Sequence, residues 1–439
     1  MIGLGKRRTP PWKRLAGAKG RSKGQEQRAP GQSKLPLREL VREALFDTVI
    51  AWGLEYVGEV LEEERAALCG PRYQHDPQRY ALRAGSMPSS LSLGGRRVAV
   101  ERPRVRSVDG QELNLPSWKA WSAGDPLEQR AIEQMLVGVS TRRYTRSLEP
   151  LPGELKVRGI GKSVVSERFV VGTARKLAAL LQRKLGGLQL IAVMIDGVRF
   201  ADHVVLAAVG LDTAGEKHVL GLREGATENT AACKALLADL IERGLPTERT
   251  LLFVIDGAKA LHKALTDIFG ERALIQRCRE HKKRNVADAL PELMRSSVRS
   301  AMSQAYATRD PKRARRLLEN LARRLEPAHP SAAASVREGL EETLTVMRLD
   351  LPESLERVLS STNLIENLFS RVREIARRVK RWQGGTMILR WTAAGVLEAE
   401  RSFRKVAGYR GLPKLVAALR AHDAAIDRQR GVDNGRTAA

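Results

Sequence analysis

The chain has 439 residues, 43% of them apolar and only 4% aromatic, with 76 Lys and Arg against 50 Asp and Glu for a formal charge of +26. That length allows two or three domains around an aliphatic core, and the charge argues for a polyanionic partner, nucleic acid first. No apolar run of about 18 residues exists to span a membrane and no signal peptide opens the chain. The three cysteines, Cys69, Cys233 and Cys278, are too few and too scattered for a disulfide framework or a zinc ribbon, so a soluble intracellular protein is expected.

Residues 1–34 hold ten Lys/Arg and one acid, Glu26. Residues 1–37 therefore read as a disordered basic arm that adds phosphate affinity, or as a plain tail. Apolar residues at helical spacing predict a helix over 38–68. "SLSLGGRRVAVERPRVRS", residues 90–107, alternates about Gly94-Gly95 and signals a β-hairpin. Arg96, Arg97, Arg102, Arg104 and Arg106 decorate it, making either a ribbon that lies along DNA or a solvated edge. Two helical stretches follow, 126–138 and 161–185, with a restart at Ser140 or Thr141 between them and Ser163 as a cap. They resemble a helix-turn-helix reader with Ser166 and Arg168 exposed, the alternative being a plain helical linker.

The pattern changes at 188. "LQLIAVMID" (188–196), "HVVLAAVGL" (203–211) and "KHVLGLRE" (217–224) read as three strands, the first buried on both faces. A helix over 227–244 opens on Thr227 and Glu228 and stops at Gly244, and "TLLFVID" (250–256) is a further buried strand. Three meandering strands, a helical crossover and a parallel strand form the ribonuclease H-like order, in which the first and fourth strands are neighbours. Asp196 and Asp256, each followed by Gly, then lie at adjacent strand ends. Two carboxylates that close repel unless a cation lies between them. With no His/Cys cage nearby, the ligands favour Mg²⁺ or Mn²⁺ over zinc. Gly197 and Gly257 fit sharp exits from the strands.

From 257 to 360 the pattern is almost wholly helical. "STNLIENLFSRVREIARRVKRW", residues 361–382, then carries an apolar stripe of Leu364, Ile365, Leu368, Val372, Ile375 and Val379. Glu366 falls off that stripe, on the side of Ser370, Arg373 and Arg377. It is either a third metal-holding carboxylate or a solvated, ion-paired Glu. Arg371, Arg373, Arg377, Arg378, Lys380 and Arg381 make this helix intensely basic, as a DNA-tracking element requires. Trp382 reads as core packing.

These residues carry a resemblance. "MIDGVRF…GLDTAGEKHVLGLREGATENT", "VIDGAKAL", "QRCREHKKRNV" and "STNLIENLFSRVR" look like bacterial insertion-sequence transposases of the Mutator type, over roughly residues 40–415. The resemblance implies an Asp-Asp-Glu triad at Asp196, Asp256 and Glu366 that binds two Mg²⁺ or Mn²⁺ ions. It also implies terminal inverted repeats and target DNA as partners, a homodimer, and a cytoplasmic, nucleoid-associated location. The separation of 110 positions from Asp256 to Glu366 implies, by the resemblance, a helical insertion. Residues 257–365 contain no Trp, where family members often have one. The family's Cys-x-x-His motif matches Cys278 and His281. By chemistry this pair is half a zinc site with no second half, so a structural or DNA-proximal role is expected. Arg284 and Asn285, a turn later, are expected phosphate contacts.

The expected fold is α/β: a ribonuclease H-like core interrupted by an all-helical insertion, behind a mainly helical N-terminal DNA-binding region with a β-hairpin. The expected bounds are arm 1–37, DNA-binding region 38–186, core 187–270, insertion 271–358, core helices 359–420 and tail 421–439. The expected activity is cleavage of DNA at the element's ends and joining to a target. The alternatives are a nuclease or resolvase with the same core, and an inactive DNA-binding derivative.

Overall fold

The structure, a computed structural model, describes residues 35–74, 78–93, 95–122, 126–148, 155–200, 202–225 and 230–437. The expectations for residues 1–34, Gly94, Thr227 and Glu228 lie outside them. The fold is mixed α/β, with two sheets. The described residues form two compact units, one from residues 35–87 and 101–118, the other from 88–100, 119–148 and 155–437.

Helix α1 (Leu35–Cys69) spans the predicted 38–68. Strands β1 (Ala81–Leu93), β2 (Arg96–Ser107) and β3 (Glu112–Leu113) follow in sheet order, and then the short helix α2 (Pro116–Ser122). In the first unit Glu62 accepts from Arg83 at 2.6 Å and from Arg65, whose side chain is almost wholly buried. The ribbon arginines are locally engaged: Arg104 lies 2.7 Å from Glu112, and Arg102 reaches Asn114 and covers Trp118.

In the second unit α3 (Pro126–Leu136) is followed by β4 (Val157–Arg158), which pairs with β2 at Arg97 and Val98, and by α4 (Lys162–Leu181). The helices α3 and α4 pack closely at Gly172, where a Cβ would meet Ile132 Cδ1 at 2.5 Å. The expected helix restart at Ser140 or Thr141 is absent. The segment makes turns and a three-residue 3₁₀ helix, Thr145–Ser147, because Tyr144 is buried and donates its hydroxyl to the Gly95 carbonyl at 3.0 Å. Tertiary burial overrides local helical preference here. Helix α4 is capped by Gly161, not Ser163, and the three-helix reader reduces to two packed helices.

The main sheet contains β5 (Leu190–Phe200), β6 (His203–Asp212) and β7 (Lys217–Gly225), all antiparallel neighbours. Helix α5 (Thr230–Glu242) crosses to β8 (Leu251–Ile255), and α6 (Lys259–Phe269) crosses to β9 (Ala273–Arg277). The order is β7-β6-β5-β8-β9, with β8 parallel to β5 and β9 parallel to β8. Strand β9 interrupts the stretch from 257 to 360 expected to be almost wholly helical. Its five residues are too few, and too mixed in polarity, to show a period.

Helices α7 (Arg279–Asp288), α8 (Glu292–Ala307), α9 (Pro311–Leu325) and α10 (Pro330–Arg337) enclose a separate core with Val286, Met302, Leu318 and Val336. Two one-turn helices, α11 (Leu340–Thr343) and α12 (Thr345–Arg348), lead to α13 (Glu353–Leu359), α14 (Asn363–Ala376), α15 (Gly385–Glu400) and α16 (Leu412–Thr437). Alternation along each strand serves two cores at once. Val193, Ile195, Phe253 and Ile255 pack with residues of α5 and α6. Ala192, Met194, Leu252 and Val254 pack with residues of α13 to α16.

Two further expectations are corrected. The basic helix ends at Ala376, and Arg377, Arg378, Lys380 and Arg381 follow it. The chain turns there because Val379 and Trp382 join Ile132, Phe169 and Trp391 in a core cluster, with Trp382 edge-on to Trp391. Gly197 is not an exit, since β5 continues through it to Phe200. Among the described residues, no helix is long and apolar enough to cross a membrane. Cys69, Cys233 and Cys278 are free and buried.

Gly244, where the chain leaves α5, has φ +106°, and a Cβ there would stand 2.6 Å from the Gly186 backbone nitrogen. Backbone cannot yield as a side chain does. Gly244→Ala is therefore expected to lower unfolding free energy by roughly 2 kcal/mol or more, read as a lower urea midpoint at unchanged slope.

Candidate active site

The site is built from one row of the sheet. Ile195 of β5, Ile255 of β8 and Arg277 of β9 are in register across three parallel strands. The residue after each is Asp196, Asp256 or Cys278. Ile195 and Ile255 face the α5/α6 core, so by alternation Asp196 and Asp256 fall on the opposite face, where α14 packs. The Cys278 N–H donates to the Ile255 carbonyl at 2.7 Å, extending the row by one bond.

Asp196 is 4% exposed and accepts from the Gly197 N–H at 2.8 Å. Its carboxyl is pushed up to about 6, first by burial and then by the charge of Asp256. Helix α14 brings Glu366 over this face: Ile365, Leu368, Phe369 and Val372 are buried, and Glu366 remains half-buried at the first turn. Helix α7 brings His281, whose Nε2 lies 3.5 Å from Glu366 Oε1. One ligand atom from each of Asp196, His281 and Glu366 lies within 4.8 Å of the others. Asp256 stands outside that trio and accepts from the Ala258 N–H at 2.9 Å.

The Cys-x-x-His pair is thus part of the acidic centre. Cys278 caps α7, its Sγ accepting from the His281 N–H at 3.5 Å and from the Thr362 N–H at 3.4 Å. Burial alone raises the Cys278 thiol, but its hydrogen bonds with His281 and Thr362 hold it below the usual range. His281 is pushed up to about 9, foremost by its hydrogen bond with Cys278, with Asp196 and Asp256 adding their charge. The expectation of acids with no His nearby is corrected. The unforeseen β9 delivers Cys278 to the same row, and one turn of α7 carries His281 over it.

The loop after β8 is also tied down. Gly257 has φ +101°, and a Cβ there would lie 2.7 Å from Arg277 Nε. The buried Arg277 donates to the carbonyls of Gly257 and, at 2.9 Å, Glu338, and lies 3.5 Å from Glu342. Sequence reading missed Arg277 and Thr362. The Ser-Thr pair before an amphipathic helix was the available signal for Thr362.

The expected DNA contacts divide. Arg97, Arg284, Asn285, Arg371, Arg373, Arg377, Arg378 and Arg381 are exposed, and Arg284 lies 3.8 Å from Glu366. Arg96 is only 7% exposed and turned inward, because β2 alternation buries it with Val98 and leaves Arg97 outside. Arg168 donates to the Gly159 carbonyl and is half-buried. Neither presents the open cation expected of it.

A five-stranded mixed sheet with carboxylates on one registered row, facing an acid on a packed helix, defines a class of α/β protein able to seat a divalent cation. The chain belongs to the Mutator family of transposases, whose description matches residues 39–405. It is similar to the transposase for insertion sequence element ISRM5 of Rhizobium meliloti, 26% identical over 80% of this chain and 87% of that protein. It is also similar to the transposase for insertion sequence element IS406 of Burkholderia multivorans, 28% identical over 77% of this chain and 88% of that protein. The transposase for insertion sequence element IST2 of Acidithiobacillus ferrooxidans is 30% identical, but the match spans 40% of this chain and 58% of that relative's length.

The raised Asp196 and His281 have the same sign for stability. A group raised in the folded state stabilises fully below its unfolded value, and that stabilisation is lost as pH climbs through the folded one. For Asp196 the loss runs from the ordinary carboxylate range to about 6, and for His281 from 6.5 to about 9. In chelator, stability is expected to fall from about pH 4 to pH 6 through Asp196, while above that the lowered Cys278 thiol has the opposite sign and offsets His281. Asp196→Asn should recover about 1–3 kcal/mol at pH 8 and nothing near pH 4, measured by denaturant titration.

Proposed function

We propose that this protein is an insertion-sequence transposase that cleaves DNA at the element's terminal inverted repeats and joins the freed ends to target DNA. The observation that carries the reading is the registered row that sets Asp196, within β5, beside Asp256, at the end of β8, on the face that α14 covers with Glu366, in a chain of this family. We read the five-stranded sheet as a ribonuclease H-like core, α7–α12 as a helical insertion, and β1–β2 as a basic hairpin.

The donors fit a hard divalent cation. Asp196 is buried beside the like charge of Asp256 and lacks a strong cationic partner other than His281, the arrangement that a bound cation relieves. Carboxylates select Mg²⁺ or Mn²⁺, and the imidazole of His281 is better tolerated by Mn²⁺. Asp196, Asp256 and Glu366 would hold two such ions, with His281 beside them. When bound, the ions neutralise charge at the scissile phosphate and lower the pKa of an attacking water.

The residues of the chain supply the rest. The acids are rigidly placed by strands and a packed helix, so the phosphodiester is positioned without reorganisation at the moment of reaction. Arg284, 3.8 Å from Glu366, would contact a phosphate held at this centre. The exposed Arg97, Arg371, Arg373, Arg377, Arg378, Arg381 and Asn285 track backbone phosphates. Water attacks at the element's end and frees a 3′-hydroxyl, and that hydroxyl attacks the target strand. No Ser or Tyr nucleophile is required. Holding two ends together calls for a homodimer.

A strand-transfer assay with terminal inverted-repeat DNA tests the reading. Asp196→Asn, Asp256→Asn and Glu366→Gln should each lower joining by at least about 10³-fold while repeat binding stays within about threefold. Cleavage without joining by the wild type would assign a nuclease instead. Binding should weaken more than about tenfold between 50 and 200 mM salt, since many phosphates are neutralised.

A further inference from the structure

Thr362 immediately precedes α14. A Thr at that position ordinarily turns its hydroxyl onto the second or third backbone N–H of the helix. Thr362 makes no such bond. Its Oγ1 instead lies 3.3 Å from His281 Nδ1, and the hydroxyl helps hold the Asp196 carboxyl down. Its own N–H donates to Cys278 Sγ at 3.4 Å. Its carbonyl accepts from the Ile365 N–H at 2.9 Å and the Glu366 N–H at 3.1 Å. The residue is fully buried.

One residue therefore bonds to Cys278, His281 and Glu366, each through a different group. The three elements concerned are far apart in sequence: β5 supplies Asp196, α7 supplies His281, and α14 supplies Glu366. The Oγ1 lone pairs accept the Nδ1–H of His281, which directs Nε2 toward Glu366 at 3.5 Å. The hydroxyl thereby sets the orientation of the imidazole.

We propose that Thr362 is a positioning residue whose side-chain hydroxyl fixes the His281 imidazole in register with Asp196 and Glu366, so that the three form one cation-binding unit. The inference rests on reading this centre as a divalent-cation site. It predicts that the hydroxyl matters and the methyl group does not, which separates it from a packing role.

The test uses the full chain as Thr362→Val and Thr362→Ser. Valine keeps the shape and removes the hydroxyl; serine keeps the hydroxyl. Mn²⁺ binding by calorimetry, the Mn²⁺ concentration for half-maximal joining, repeat-DNA affinity and melting temperature are measured on each. Thr362→Val should weaken Mn²⁺ binding about 10–100-fold and raise the half-maximal concentration in step, with DNA affinity unchanged. Thr362→Ser should restore both to within about threefold of wild type. Wild-type Mn²⁺ affinity in Thr362→Val, or equal impairment in Thr362→Ser with the same loss of melting temperature, would overturn the proposal. A wild-type chain that binds no Mn²⁺ at all would overturn the cation centre and this inference with it, and would be told apart by its indifference to Asp196→Asn.

Discussion

Strand register is the constraint on which everything else rests. Three parallel strands share the row Ile195, Ile255 and Arg277, and hydrophobic burial on both sheet faces forbids a slip. A shift of one residue would move every side chain to the other face. Asp196, Asp256 and Cys278 inherit their direction from that row. Two apolar cores thus place the polar residues, and the polar residues need no structure of their own to find one another.

That placement has an electrostatic cost, concentrated at Asp196. Its carboxyl is nearly enclosed and faces the charge of Asp256. The surroundings answer with the Gly197 N–H, the Thr362 hydroxyl and His281. These soften the repulsion without removing it. A fold selected for stability alone would have placed an apolar residue here.

Much of this was legible in the residues. The unbroken apolar runs of β5 and β8, each ending on an acid, gave the two cores and the neighbouring strands. The stripe through Ile365, Leu368 and Val372 gave the face of α14. What escaped detection was short or decided by distant packing. Strand β9 has five residues, and its parallel partner lies a helix away. The end of α14 at Ala376 depends on Trp382 meeting Trp391, and the turn at Tyr144 depends on the Gly95 carbonyl. His281 could not be placed without β9, so its role was read as peripheral. The burial of Arg96 follows from simple alternation with Val98, which composition alone obscures.

Arg277 ties the helices that follow β9 to the loop that carries Asp256. The same guanidinium grips the carbonyl behind Asp256 and the carbonyl of Glu338, where the chain leaves α10. It is the mechanical equivalent of a tie-rod between lever and hinge. The glycines at the two gripped carbonyls, Gly257 and Gly339, are already in left-handed bends, so one side chain spans the two turns.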